Sequence, residues 1–280
     1  MRLYLSGTRG STPATGPDFL RYGGRTSCLA IAAREDRLPT LVLDAGTGLR
    51  EVTGLLDGGP FRGTIALTHL HWDHMHGLPF FRAGDREDAE VRLLLPEQGD
   101  GQCAEAVLER GMSPPHFPIR PRDLRGRWTF GSLPAGRRQV NEFLVEAREI
   151  PHKGGRTFGY RVSDGHSAVA YLPDHCPTWL GPGPDGRGEY HPAALALARG
   201  ADVLIHDAFW RAAELVPDAA LGHAAAEYAV GLGARAGAAR VVLSHHRPDR
   251  TDNELDRLAA EFGDAPVPVT VAADGEMLDL

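Results

Sequence analysis

The 280-residue chain contains three cysteines, one lysine and no long apolar run. Cys28, Cys103 and Cys176 are odd in number and follow no CxxC spacing. That argues against a disulfide framework and points to a reduced, cytoplasmic setting. No stretch approaches the roughly 20 apolar residues of a membrane helix. Residues 1–10 have no apolar core of the kind a signal peptide needs. Basic residues are outnumbered 30 to 37 by acidic ones, giving a net charge of −7. This balance excludes a protein-wide electrostatic hold on nucleic acid and leaves only local basic patches. Lys153 is the single lysine, and arginine supplies the remaining cations, a bias expected of a GC-rich genome.

Glycine and proline are abundant, with 34 and 21 residues. Such a surplus implies many turns and ordered loops, and it argues against a helical bundle. Length alone suggests about two domains. Short apolar runs read as strands near Leu3–Leu5, Cys28–Ala33, Leu41–Leu43, Thr64–Thr68, Val91–Leu95, Trp128–Phe130, Phe143–Ile150, Phe158–Val162 and Ala168–Tyr171. Helices are expected over Gly48–Leu56 and Gln98–Arg110. From His191 onward the pattern becomes helix, strand, helix, strand: Ala193–Arg199, Val203–Ile205, Ala224–Ala234 and Val241–Leu243. Strand-rich halves with interspersed helices suggest an α/β or α+β sandwich.

The 13 histidines are the residue type whose placement carries most information. His69, His71, Asp73 and His74 form an HxHxDH run immediately after the apolar segment Thr64–Thr68. His69 and His71 alternate and so face one way on an extended backbone, while Asp73 and His74 follow the turn and face a second position. Imidazole and carboxylate together suit zinc or another first-row divalent metal.

This loop resembles the signature of the metallo-β-lactamase fold superfamily. Three further segments fit the same pattern in order, each just beyond an apolar strand: Ile150-Pro-His152, Tyr171-Leu-Pro-Asp174 and Leu243-Ser-His245. The resemblance spans nearly the whole chain. It implies one metallo-β-lactamase-like domain over residues 1–280, folded as an αβ/βα four-layer sandwich with two sheets flanked by helices. It further implies two divalent metal ions, zinc first, with manganese or iron as alternatives. His69, His71 and His152 would hold one; Asp73, His74 and His245 would hold the other; Asp174 would bridge them. A hydroxide between the metals would be the nucleophile, which also places Asp73 among the catalytic residues. After the apolar run Val241–Leu243, neighbouring His245 and His246 compete for the last ligand position, and the family pattern favours His245.

Two segments narrow the branch. Leu204-Ile-His206-Asp207 and Gly222-His223-Ala-Ala-Ala-Glu227 are similar to paired motifs of the tRNA 3′-processing endonuclease and related phosphodiesterases. In that branch an acidic residue orients a histidine that protonates the leaving oxygen; here Asp207 would orient His223. The branch usually has glutamate where this chain has Asp207. Only 21 residues separate His152 from Asp174, and they read as a hairpin, with no room for a long tRNA-binding arm. Together with the acidic balance this favours a small cyclic phosphodiester, a cyclic nucleotide or cyclic sugar phosphate, over nucleic acid. The N-terminal glycine-rich loops are similar to cyclic-nucleotide-type phosphodiesterases of this fold. His116, Lys153, His175 and His246 are the candidate substrate contacts. Gly46-Thr47-Gly48 is expected to support the metal loop or meet an anion. Alternative readings are a tRNA 3′-processing RNase, a thioester or amide hydrolase and, least favoured, a non-catalytic binding module. No membrane partner is expected, and related phosphodiesterases suggest a homodimer.

Overall fold

The computed structural model describes residues 1–99, 101–215 and 222–280. Fourteen strands are named here in chain order: β1 (Arg2–Gly7), β2 (Cys28–Ala32), β3 (Leu41–Leu43), β4 (Arg62–Ala66), β5 (Glu90–Pro96), β6 (Arg127–Leu133), β7 (Gly136–Val140), β8 (Phe143–Glu149), β9 (Phe158–Ser163), β10 (Ala168–Leu172), β11 (Val203–Asp207), β12 (Val241–Ser244), β13 (Val269–Val271) and β14 (Glu276–Asp279). The helices are α1 (Leu49–Val52), α2 (Ala104–Glu109), α3 (Pro192–Ala198), α4 (Ala226–Ala236) and α5 (Asp252–Glu261).

The strands form two seven-stranded sheets, ordered β14-β1-β2-β3-β4-β5-β6 and β13-β12-β11-β10-β9-β8-β7. In each sheet one part is antiparallel and the other parallel: β3 to β6 run parallel in the first, and β10 to β13 in the second. Alternation along the strands explains the layering. Leu29, Ile31, Leu41 and Leu43 of the first sheet meet Val145, Tyr160, Val162, Val169, Tyr171 and Ile205 of the second in a core between the sheets. The intervening residues face outward: Ala30, Val42 and Ile65 pack under α1 and α2, and Ala170, Leu172, Leu204 and Leu243 pack under α3, α4 and α5. Strands covered on both faces read as continuous apolar runs, which is why they were visible in the sequence. The result is the expected αβ/βα sandwich. No helix among the described residues is long and apolar enough to cross a membrane.

Some elements depart from expectation for identifiable reasons. Helix α2 starts at Ala104 rather than Gln98, because Gly99 and Gly101 take φ of 79° and 70° and break any earlier turn. Helix α4 starts at Ala226 rather than Ala224, since Ala224 O and Ala226 N pair with Trp210 in an extended bridge. Strand β7, Gly-Arg-Arg-Gln-Val, is a polar sheet edge paired only to β8 and carries no hydrophobic signature. Helix α5 carries its own start signal, a capping box in which Thr251 and Glu254 exchange hydrogen bonds.

Candidate metal centre

The side chains of interest emerge from the C-terminal ends of parallel strands in both sheets. The HxHxDH loop follows β4, Asp174 follows β10, Asp207 closes β11, and His245 follows β12. Ligand sites of open parallel sheets gather at such strand ends. His152 comes from the loop after β8. The first loop turns through a short 3-10 segment, Trp72–His74, which carries Asp73 and His74 past the extended His69 and His71.

Three groups of potential ligand atoms result, each within 4.8 Å: His69, His71, His152 and Asp174; Asp73, His74 and His245; and a third, Asp174, His223 and His245, that overlaps the first two. Asp174 lies between the first two groups and is 1 % exposed. Its Oδ1 sits 3.4 Å from His152 Nε2 and 4.0 Å from His69 Nε2, while its Oδ2 sits 2.8 Å from His74 Nε2 and 3.4 Å from His245 Nδ1. In the first group His71 Nδ1 faces His152 Nε2 at 3.3 Å. In the second, Asp73 Oδ2 lies 3.2 Å from His74 Nε2 and 3.7 Å from His245 Nε2.

The outer nitrogens of four histidines are committed to other partners. His69 Nδ1 pairs with Thr68 Oγ1 at 3.0 Å, and His245 Nδ1 with Ser27 Oγ at 3.1 Å. His74 Nδ1 donates to Asp44 Oδ2 at 2.9 Å, and His152 Nδ1 donates to Gly222 O at 2.7 Å. Three of the opposite nitrogens, those of His69, His74 and His245, are buried without a well-formed hydrogen bond, as is Asp174 Oδ2. Imidazoles fixed through one nitrogen, with the other aimed at a shared carboxylate, are the arrangement that metal-bound histidines adopt. Buried polar atoms without partners are costly, so an ion seated here resolves what the protein alone leaves unsatisfied. The donor set is all imidazole and carboxylate, which fits a divalent first-row metal in each of the first two groups.

Electrostatics keep His69, His71, His245 and both carboxylates in ligand form and act the other way on His74. Burial, reinforced by neighbouring imidazoles, pushes His69 well down and also lowers His71. Burial lowers His245 too. Burial acts against ionisation of Asp174 and Asp73, but the surrounding histidines outweigh it and hold both carboxylates below their ordinary range. For His74 burial favours the neutral ring, yet Asp174, Asp73 and Asp44 together raise it well above its ordinary value.

Beside the centre, His223 Nδ1 donates to Asp207 Oδ2 at 3.0 Å and lies 3.6 Å from Asp174 Oδ1. Asp207 is shorter than the glutamate of the resembling branch, but it ends β11 itself, so the strand delivers it. Backbone amides of His175, Phe209 and Ala224 also donate to its carboxylate. The Phe209 ring stacks on His223 at 4.4 Å and 14°. Burial disfavours the His223 cation, but the charge of Asp207 and its hydrogen bond reverse this and raise its pKa.

The four proposed substrate contacts separate. His116 is exposed and lines a cavity next to the HxHxDH loop, and Lys153 is exposed directly after His152. His175 and His246 need correction. His175 is fully buried, its Nδ1 3.0 Å from His206 Nε2 and its ring against Tyr228. His246 is likewise buried, with Nε2 donating to Ala272 O at 2.8 Å, and burial beside Arg9 lowers it to about 3. Adjacent His245 and His246 point to opposite sides of the chain, and only His245, at φ 57°, reaches the ligand groups.

Residues that the sequence reading passed over hold the centre in place. Asp44 accepts from His74 Nδ1 and from the amide and hydroxyl of Thr68. The Ser11 amide donates to Asp73 Oδ2 at 2.7 Å. Asp44 stands directly after the apolar β3, the same strand-end placement that marks the ligands, and that signal was available. Gly46 supports the loop: a Cβ there would lie 2.1 Å from Asp73 O. Cys28 and Cys176 are buried packing residues with thiols that burial pushes up.

Comparison with known proteins gives a consistent picture. Residues 40–246 match the family described as beta-lactamase superfamily domain. Ribonuclease Z of Bacillus cereus (strain B4264) is 24% identical over 272 residues, covering 82% of this chain and 86% of that protein. The metallo-beta-lactamase fold protein YhfI from Bacillus subtilis superposes with a TM-score of 0.67 at 16% identity, covering 99% of this chain and 98% of that one. A diphosphatase of the PhnP family gives 0.68 at 17% identity, covering 100% and 97%. The short form of human tRNase Z gives 0.66 at 19%, covering 100% and 99%. At these identities the structural likeness speaks for the fold.

Proposed function

Because the chain belongs to the β-lactamase superfamily, whose model matches residues 40–246, we propose that it is a metal-dependent hydrolase of phosphodiesters. His69, His71 and His152 would hold one divalent ion and Asp73, His74 and His245 the other, with Asp174 shared between them. When bound, such a pair supplies Lewis acidity and a water acidic enough to attack near neutral pH.

The observation that carries the phosphodiester reading is the Asp207–His223 pair beside the shared carboxylate. An alkoxide leaving from phosphorus needs a proton. His223 is held through Nδ1 by Asp207, which leaves Nε2 to deliver that proton. Asp207 shifts His223 toward its protonated form, the form a proton donor needs. Phe209, stacked on the ring, excludes water from that face and fixes its orientation.

A small cyclic phosphodiester is the favoured substrate. Between His152 and Asp174 the chain forms only the antiparallel hairpin β9–β10, and the net charge is −7. Neither suits a long RNA. The second reading, a tRNA 3′-processing RNase, draws on the likeness to ribonuclease Z across 82% of this chain. The test is a panel of 3′,5′-cyclic nucleotides, bis-(p-nitrophenyl) phosphate and precursor tRNA on metal-quantified enzyme. Hydrolysis of the small diesters that disappears in Asp174→Asn supports the first reading, and cleavage confined to precursor tRNA overturns it in favour of the second.

A further inference from the structure

A cavity of about 770 Å³ opens beside the HxHxDH loop, within the range of about 300–1,000 Å³ usual for small-molecule sites. Its wall begins at Met75 and His76, directly after ligand-group residue His74. Three features of this cavity have no structural explanation. Phe80 is 60% exposed although its ring packs edge-on against Phe117, centroids 6.1 Å apart, in the wall of the cavity. Packing of the core does not require a large aromatic ring at that position. Arg50 and Arg82 line the cavity, are exposed, and make no hydrogen bond or ion pair with any described residue. Their neighbours Arg86 and Arg125 are paired, to Asp88 and Asp85, and Asp85, the acidic residue of the lining, has its charge met by Arg125. In a chain of net charge −7, two uncommitted guanidinium groups at one concavity form a local anion-attracting site.

From these observations we propose that the cavity is a binding site for a nucleoside phosphate. The base would stack on the exposed face of Phe80, which Phe117 supports edge-on, and its phosphate would meet Arg50 and Arg82. This phosphate is separate from the one that the metal centre would act on. An aromatic platform tolerates any base because each has a π face, and paired guanidinium groups recognise phosphate oxygens. The proposal rests on the phosphodiesterase reading only for its role, that of holding the nucleotide next to the scissile bond. On that role the preferred substrate carries a base and a second phosphate, so a linear or cyclic dinucleotide fits better than a sugar phosphate.

The experiment is calorimetric titration of the metal-loaded protein with 5′-AMP, adenosine and inorganic phosphate. 5′-AMP is expected to bind, at least tenfold more weakly to Arg50→Ala/Arg82→Ala and to Phe80→Ala, and with unchanged affinity to Asp174→Asn. Phe80 and both arginines are exposed, so these variants are expected to fold, which circular dichroism and the melting temperature check. Four results would overturn the proposal: no binding of 5′-AMP at millimolar concentration, binding lost in Asp174→Asn but kept in the cavity variants, phosphate binding as well as 5′-AMP with Phe80→Ala indifferent, and adenosine binding as well as 5′-AMP with the arginine variant indifferent. Absence of diester hydrolysis with 5′-AMP binding intact would reject the enzyme reading alone, so the two failures are distinguishable.

Discussion

At the residue scale, the chemistry depends on single atoms held by neighbours outside the ligand set. On the proposed mechanism His223 would act through Nε2, because Asp207 occupies Nδ1. Replacing His223 with alanine is expected to lower kcat by about 10²–10⁴-fold for diesters with alkoxide leaving groups. The loss should be small for p-nitrophenolate, which departs without a proton. The dependence of kcat on leaving-group pKa measures this, and an equal loss across the series would contradict a proton donor. Asp44 makes a comparable case. It orients His74 without joining either ligand group, so Asp44→Ala is expected to weaken metal affinity by about 10–100-fold. Competition with a chromophoric chelator reads that change, and an unaltered affinity would show Asp44 to be mere packing. The ligand-group residues themselves were legible because strand-end histidines in ordered spacing stand out. Asp44 carried the same strand-end signal, but its role did not show because its partner His74 lies 30 positions away, and Ser27, 218 positions from His245, carried no such signal.

At the scale of elements, the site depends on close backbone approaches. The Asp44–Gly48 turn supports the HxHxDH loop through Ala45 N, which donates to His74 O, and Gly77 N, which donates to Ala45 O. Gly46 permits this approach, since any Cβ would meet Asp73 O at 2.1 Å. Gly46→Ala is therefore expected to displace Asp73 and lower occupancy of the second metal group more than the first. Metal stoichiometry by mass spectrometry, alongside the melting temperature, tests it. Retention of two metals per chain would refute the supporting role. Elements buried on both faces could be read from apolar runs, as with β4, β10 and β12. The polar edge strand β7 and the short β13 could not, because their pairing is set by tertiary neighbours. His175 was misread for the same reason: its place after Asp174 suggested a pocket, whereas the chain turns it inward against His206 and Tyr228.

At the scale of the whole molecule, stability gains from a charge held on the outer face of the second sheet, opposite the inter-sheet core. Glu146 of β8 is 5% exposed and accepts from Arg137 and Arg148, each at 2.6 Å. Burial acts to raise its pKa, but the two arginines prevail and hold it below its ordinary value. A carboxylate depressed in the folded state stabilises fully above its unfolded pKa, and the contribution fades as pH falls through the folded value. Stability should therefore decline below about pH 4.5, and Glu146→Gln should flatten that acid limb while lowering stability at pH 7. Urea midpoints at pH 7 and pH 4 provide the measurement, and parallel acid limbs in the two proteins would count against it. Sandwich architecture was legible at this scale from the alternation of apolar segments with turns. The cavity beside the loop was foreshadowed only by His116, because its other walls come from segments far apart in sequence.

The meeting of both sheets at one carboxylate has a kinetic meaning. Contacts around Asp174 join residues from β4 through β12, so the centre assembles only after very long loops have closed. Ions seated there would behave as rivets between two halves that are otherwise held by apolar packing. Chelation is then expected to accelerate unfolding far more than it slows refolding, because the rivet is set after the transition state. Stopped-flow unfolding in urea, with and without EDTA, would reveal a protein whose persistence is governed by its metal supply as much as by its sequence.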